Sequence, residues 1–460
     1  MTTELSGAVR SAYRRLFPTD IRRLMEDSSW GFASTIVSLG LQLAETVILA
    51  RFLGADVFGM FVLITAYPEV VLQLMDSRVR EAMTRYLMVF LVREQKAQAV
   101  ALVKLLWMLD AATGLSAFLL VWLTATLAVR WWNLDAATQP LIVIYALGLF
   151  LGSLDTASGS VLRVFDRFDL AFRLGSAGSL ARFALVAAAV LWGESLNAVV
   201  WARTLAELIV TTLQGAACYF LLKQHLWAYR HSPLSALRGR IREIAGFAFH
   251  TNLAATTKAV ASKLDVLILG LFWSPGVVGV YKIASRFAGL LLLVSDPISP
   301  AILPNFSRRF AASGSGGLVQ LAVHVARVVG PLAALSGVVY AVVAPRILSL
   351  TVGESFQPAV EPLRIMLAGM TSLAAFFWVR PFILSVGKAR VLMGISVVAA
   401  TLQLVLLLLL VPKLGPTGGA TALSTGYVAF IGLELLYLHR EGLLQAGKRQ
   451  PVSDAPARIP

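Results

Sequence analysis

The sequence predicts an all-α polytopic membrane protein of about twelve transmembrane helices, set as two six-helix lobes around a central cavity. Three observations carry this prediction. Of 460 residues, 58% are hydrophobic and only 14% charged, where a water-soluble chain carries about 25% charged residues to cover its surface. Apolar stretches recur at roughly the 20-residue length that crosses about 30 Å of hydrocarbon. The connections between them alternate between rich and poor in Lys and Arg.

The predicted spans lie near 30–50, 57–76, 98–127, 140–162, 174–192 and 196–222, then 244–271, 277–303, 318–343, 358–380, 389–411 and 417–438. Strands are excluded as spanning elements, because an open strand leaves its backbone groups unpaired in lipid. Residues 1–29 carry Arg10, Arg14, Arg15, Arg22 and Arg23 without an apolar run of signal-peptide length. They read as a cytoplasmic amphipathic segment at the membrane surface. The domain plan is therefore 1–29, an N-lobe at 30–222, a cytoplasmic linker at 223–243, a C-lobe at 244–438 and a cytoplasmic tail at 439–460.

Charge sets the orientation. One set of connections holds Arg78, Arg80, Arg85, Arg93 and Lys96, then Arg163, Arg167 and Arg173, then Lys223, Arg230, Arg238, Arg240 and Arg242. Arg308 with Arg309, Arg380 with Lys388 and Arg390, and the C-terminal Arg440, Lys448, Arg449 and Arg458 continue that set. The opposite connections hold only Arg51, Arg130, Arg346 and Lys413. The rich side is cytoplasmic, so both termini are cytoplasmic and the number of spans is even. Trp131, Trp132, Trp192 and Trp273 at outer boundaries, with Trp30 and Trp378 at inner ones, read as an aromatic belt. The net charge of +15 follows from these loops rather than from nucleic-acid binding.

The two halves resemble each other. VILARFLGADVFGMF at 47–61 aligns with LILGLFWSPGVVGVY at 267–281 at a constant offset of 220, pairing Ile48 with Ile268, Leu49 with Leu269, Phe52 with Phe272, Val57 with Val277 and Gly59 with Gly279. Both segments leave one span and enter the next on the outer side. Parallel repeats of this kind suit a transporter with a cavity between lobes.

Charges inside spans cost about 2.5–3.5 kcal/mol each on insertion scales, so they mark function or pairing. The basic ones are Lys104, Arg182, Arg203, Lys258, Lys263, Lys282, Arg286, Arg327 and Arg364, and the acidic ones include Glu45, Glu69, Asp110, Asp155, Glu207, Asp265, Asp296 and Glu434. Arg203 and Glu207 stand one helical turn apart and can pair. Lys258 shares a face with Asp265, and Lys263 lies beside it. Lys282 and Arg286 repeat like charge on one face, which calls for an anionic partner: Asp265, Glu207 or a bound phosphate. Arg51, Glu45 and Glu69 lie toward the outer side. Lys104, Arg182 and Arg327 lie near enough to the cytoplasm to extend their charges there. Glu434 and Asp296 are candidates for ion coupling. The candidate cationic cavity comprises Arg286, Lys282, Lys258, Lys263, Arg51 and Arg203, with Asp265, Glu207, Glu45 and Asp296 for coupling or pairing.

Other chemistries lack their residues. SGSGG at 313–317 has no following Gly-Lys-Ser/Thr, so it is no phosphate-binding loop. The five histidines have no metal-ligand spacing, and no catalytic constellation stands out, so no metal, cofactor or enzymatic activity is expected. The single Cys218 allows no internal disulfide.

Specific residues then carry a resemblance. ARFLGADVFGMFVLITAY at 50–67 resembles the first-loop signature of the polysaccharide-biosynthesis branch of the MOP exporter superfamily, Arg-x-Leu-Gly-x-x-x-Phe/Tyr-Gly, filled by Arg51, Leu53, Gly54, Phe58 and Gly59. KLDVLILGLFWSPGVVGVYKIASRF at 263–287 and VPKLGPTGGATALSTGYV at 411–428 are similar to later motifs of that branch. The resemblance implies a flippase for polyprenyl-pyrophosphate-linked oligosaccharide in the bacterial inner membrane, of the O-antigen or exopolysaccharide type, working by alternating access. It implies an anionic lipid-linked glycan as cargo, a coupling ion (proton or sodium), membrane lipid and a polysaccharide polymerase as partners. Arg51, Lys263, Asp265, Lys282 and Arg286 are the nearest counterparts of the family's cavity residues. The alternative is an ion-coupled multidrug antiporter of the related multidrug branch, which expects an acidic cavity.

Overall fold

Long apolar windows become long helices. The computed structural model describes residues 19–75, 79–193, 195–244, 246, 263–295 and 299–443, and among them there are helices and turns but no strand. The helices are α1 (Thr19–Met75), α2 (Val79–Val92), α3 (Lys96–Trp131), α4 (Gln139–Ser153), α5 (Asp155–Val164), α6 (Phe168–Gly193) and α7 (Leu196–Leu226). They continue with α8 (Leu264–Phe272), α9 (Pro275–Ala288), α10 (Ser299–Thr351), α11 (Val360–Ala375), α12 (Val379–Ser385) and α13 (Ala389–Arg440).

Nine helical segments among the described residues are long and apolar enough to cross a membrane. Two of them hold two crossings each. α1 breaks at Gly54, with φ 71° and ψ 174°, and α13 breaks at Gly415, with φ 56° and ψ −129°. Positive φ of this kind is open to glycine and costs other residues about 1–3 kcal/mol. These two breaks give eleven crossings. α8, at nine residues, is too short to cross by itself, and its upstream neighbours lie outside the described residues. The chain is thus an all-helical, multi-pass membrane protein.

The contacts divide the chain into two compact units. The first comprises Met1–Ile48, Leu74–Ala125 and Gln139–Asn252, and the second Leu49–Gln73, Thr126–Thr138 and Leu253–Pro460. In the first, the amphipathic α2 turns Val79, Met83, Tyr86, Leu87 and Phe90 into a core shared with Leu102, Leu162 and Cys218. Residues after α7 fold onto the same core through Leu237 and Ile244. Tyr86 donates to Glu243 at 3.2 Å, and burial together with that carboxylate raises the phenol's pKa. Ser195 caps α7 by accepting the Ala198 N–H at 3.2 Å.

In the second unit, Phe306, Trp378, Phe382 and Ile383 centre a core built by α10, α12 and α13. Here the internal repeat acquires a physical meaning. A Cβ on Gly59 would land on the Pro275 carbonyl and 3.0 Å from the Gly279 nitrogen. A Cβ on Gly279 would lie 2.5 Å from the Ala55 oxygen and 3.3 Å from Gly59 Cα. Ala55 and Pro275 are themselves related by the offset of 220. Two repeat-equivalent helix ends therefore meet backbone to backbone, each glycine seated on the other's turn.

Two of the expected belt tryptophans are structural instead. Trp132 is buried, donates to the Leu267 carbonyl at 3.1 Å and packs on Tyr67, with 5.4 Å between ring centroids. Trp378 is buried in the core just described. Trp131 and Trp192 are exposed, as a belt requires.

Candidate functional site

The short turn Trp273–Ser274 folds α9 back beside α8, and Pro275 at the start of α9 fixes its φ for helix entry. This hairpin sets Asp265 of α8 against Tyr281 of α9. The Tyr281 hydroxyl donates to Asp265 Oδ2 at 2.7 Å, and the Val266 N–H donates to Oδ1 at 2.8 Å. Both side chains are buried. Two such bonds hold a carboxylate in place where water is absent.

Around this anchored acid stand the cations. Lys263 Nζ donates to Glu69 Oε2 at 2.7 Å, with side chains 31% and 29% exposed. Lys282, partly exposed on α9, lies within electrostatic reach of Glu69, Asp265, Lys263 and Arg286. Among the described residues, Lys263 and Lys282 thus lie near Glu69 and Asp265, with Arg286 near Lys282 and with Asp265 committed to Tyr281 and a backbone amide. An exposed charge at membrane depth is stable only against water or a partner, because hydrocarbon does not solvate it. The arrangement can attract and orient an anion that brings its own charges to Lys282 and Arg286.

The other candidate residues fall elsewhere. Arg51 is exposed and its Nη1 donates to the carbonyls of Leu350 and Thr351 at 3.2 and 3.4 Å, capping the C-terminal end of α10. Arg203, Glu207 and Glu45 belong to the first unit, where they form a network with Arg182. Arg182 lies 3.6 Å from Glu45 and 3.5 Å from Glu207, and Arg203 lies 3.5 Å from Glu45 and above the Tyr145 ring at 5.7 Å. Helical spacing had set Arg203 beside Glu207. In the fold Arg203 meets Glu45 and Glu207 meets Arg182, each on a different helix, and Arg182 joins the network instead of reaching toward the cytoplasm. Lys104, also expected to extend outward, donates to the carbonyls of Arg230 and Ser232 at 2.6 and 3.1 Å. Lys258 and Asp296 lie outside the described residues. Among the described residues no group of three or more His, Cys, Asp or Glu could hold a metal ion.

Removing Arg182 leaves Glu45, which is almost fully buried, short of one of its two arginines. Arg182→Met is expected to destabilise the protein by about 2–4 kcal/mol, less than a fully buried pair would lose because Arg182 is partly exposed. Glu45→Gln in the same background restores part of that loss, measured as thermal stability in detergent. Equal stability of Arg182→Met and the parent would remove the network from the account.

The chain matches the profile of a family described as "Polysaccharide biosynthesis protein" over residues 48–361. No curated protein sequence matches the chain. Among solved structures, the fold is similar to an inward-facing multidrug resistance MATE family transporter of the MOP superfamily, at TM-score 0.71 and 14% identity, covering 90% of this chain and 96% of that one. It is similar to the lipid II flippase MurJ in an inward closed conformation, at TM-score 0.68 and 13% identity, with coverage of 92% and 90%. A MOP superfamily transporter from Pyrococcus furiosus Vc1 (DSM3638), described as having a binding pocket of reverse polarity, matches at TM-score 0.58 and 13% identity, with coverage of 94% and 96%. At these identities the likeness concerns the fold.

Proposed function

The chain belongs to the polysaccharide biosynthesis protein family, and from that premise we propose that it moves polyprenyl-pyrophosphate-linked oligosaccharide from the cytoplasmic to the outer leaflet of the bacterial inner membrane. The product would feed O-antigen or exopolysaccharide assembly. The observation that carries this reading is the cationic group Lys263, Lys282 and Arg286 on the α8–α9 hairpin, with Lys282 within electrostatic reach of the other two and of Glu69 and Asp265. Such a group suits a pyrophosphate, because charge-assisted hydrogen bonds from Lys and Arg to phosphate are worth about 1.5–3 kcal/mol each. The polyprenyl tail stays in lipid while the headgroup crosses. The cytoplasmic placement of both termini rests on the loop charges.

The family and the transporter folds direct the search for function to translocation rather than catalysis. A cation-extruding antiporter needs carboxylates with negative charge to spare. Glu45 and Glu207 spend theirs on Arg182 and Arg203.

Deleting the gene is expected to remove the surface glycan and to leave lipid-linked oligosaccharide on the cytoplasmic face, inaccessible to an impermeant glycosidase added to intact spheroplasts. A normal surface glycan with raised drug sensitivity would replace this reading by the antiporter.

A further inference from the structure

One outward face of α7 has the shape and charge of a site for a single membrane lipid. Trp201, Leu205, Leu208, Thr212, Ala216 and Tyr219 recur at spacings of three and four and are exposed throughout. The Thr212 hydroxyl is turned back to the Leu208 carbonyl at 2.7 Å, so the face stays apolar. It continues onto Lys223 and Trp227 at the end of the helix.

That end is built around one indole. Arg230 lies over the Trp227 ring with its guanidinium carbon 4.8 Å from the centroid, and Lys223 Nζ lies 5.6 Å from the same centroid. Tyr219 meets Trp227 edge to face at 6.1 Å. The backbone beneath is pinned, because Lys104 holds the carbonyls of Arg230 and Ser232. From 208 to 242 the chain contains Lys223, Arg230, Arg238, Arg240 and Arg242 and no Asp or Glu. Lys223 also offsets the negative end of the α7 dipole, but Arg230 lies past the helix end, and that dipole needs no aromatic platform.

We infer that this face binds one anionic phospholipid of the cytoplasmic leaflet. The phosphate lies between Lys223 and Arg230 at Trp227, and an acyl chain runs along Tyr219 toward Trp201. Indole at the headgroup level, cations at the phosphate and a continuous apolar strip beneath match the three zones of such a lipid. The site involves none of the cations proposed to meet the cargo.

The test is native mass spectrometry of the full-length protein in neutral detergent, titrated with phosphatidylglycerol or phosphatidylcholine. The parent is expected to retain one phosphatidylglycerol in preference to phosphatidylcholine. The single variants K223Q and R230Q, which remove the charge and leave a polar amide, each weaken that binding about fivefold, and the double variant more than tenfold. R238Q/R242Q removes the same charge away from Trp227 and leaves the affinity within about twofold if the site is local. Equal losses in the two double variants would mean diffuse attraction and overturn the site. So would equal retention of the two lipids by the parent, or unchanged binding in K223Q and R230Q.

Discussion

Lys282→Ala/Arg286→Ala is expected to lower surface glycan at least tenfold while the protein remains in the membrane at parental abundance. Both side chains lie one turn apart on α9, and Lys282 is within electrostatic reach of Lys263, Glu69 and Asp265. Losing two charge-assisted contacts to a phosphate removes about 3 kcal/mol or more, roughly a hundredfold in affinity. Folding is expected to survive, because Lys282 and Arg286 repel one another one turn apart and alanine favours the helix. Lys282→Arg/Arg286→Lys keeps the charge and is expected to retain most of the glycan. Full display in the alanine variant, at equal protein levels, would dissociate the cluster from the cargo.

The second large effect concerns the glycine contact. Gly59→Ala sets a methyl group onto the Pro275 carbonyl, and Gly279→Ala sets one 2.5 Å from the Ala55 oxygen. Backbone atoms cannot rotate away as a flexible side chain can, so the two helices must separate. The expected cost is about 1–3 kcal/mol for either change, read as thermal stability in detergent. The double variant should cost less than the sum, because the first methyl already opens the contact that the second would meet. Gly394→Ala is the control, since nothing lies within 4 Å of a Cβ there. Parental stability in Gly59→Ala would show that the helices tolerate separation at this point.

The helical fold could be read from the sequence because it rests on local signals. Twenty-residue apolar windows set the crossings, and glycine marks the breaks in α1 and α13. The internal offset even paired Gly59 with Gly279, although only the fold reveals that the pair touches. The site was legible in part. Lys282 and Arg286 share a helix, so spacing alone joined them. The partnership of Lys263 with Glu69 spans 194 positions, and no periodicity reports such a pairing. Arg182 was misread for the same reason, because its carboxylates reside on two other helices. Tyr281 could have been found, since Asp265 and Tyr281 are equidistant from Trp273 at the turn of a helical hairpin. Trp132 looked like a belt residue because a boundary tryptophan and a buried one next to it have the same local sequence. Its bond to the Leu267 carbonyl is a long-range fact.

Recognition of a pyrophosphate headgroup by the α8–α9 cations during translocation can be measured in a flipping assay with proteoliposomes loaded with polyprenyl-pyrophosphate oligosaccharide. Transfer is followed by an impermeant glycosidase, with a fluorescent phosphatidylcholine in the same vesicles. The parent protein is expected to accelerate transfer of the glycolipid and not of phosphatidylcholine, and Lys282→Ala/Arg286→Ala to abolish the acceleration. Equal rates for parent and variant, or equal transfer of both lipids by the parent, would contradict it.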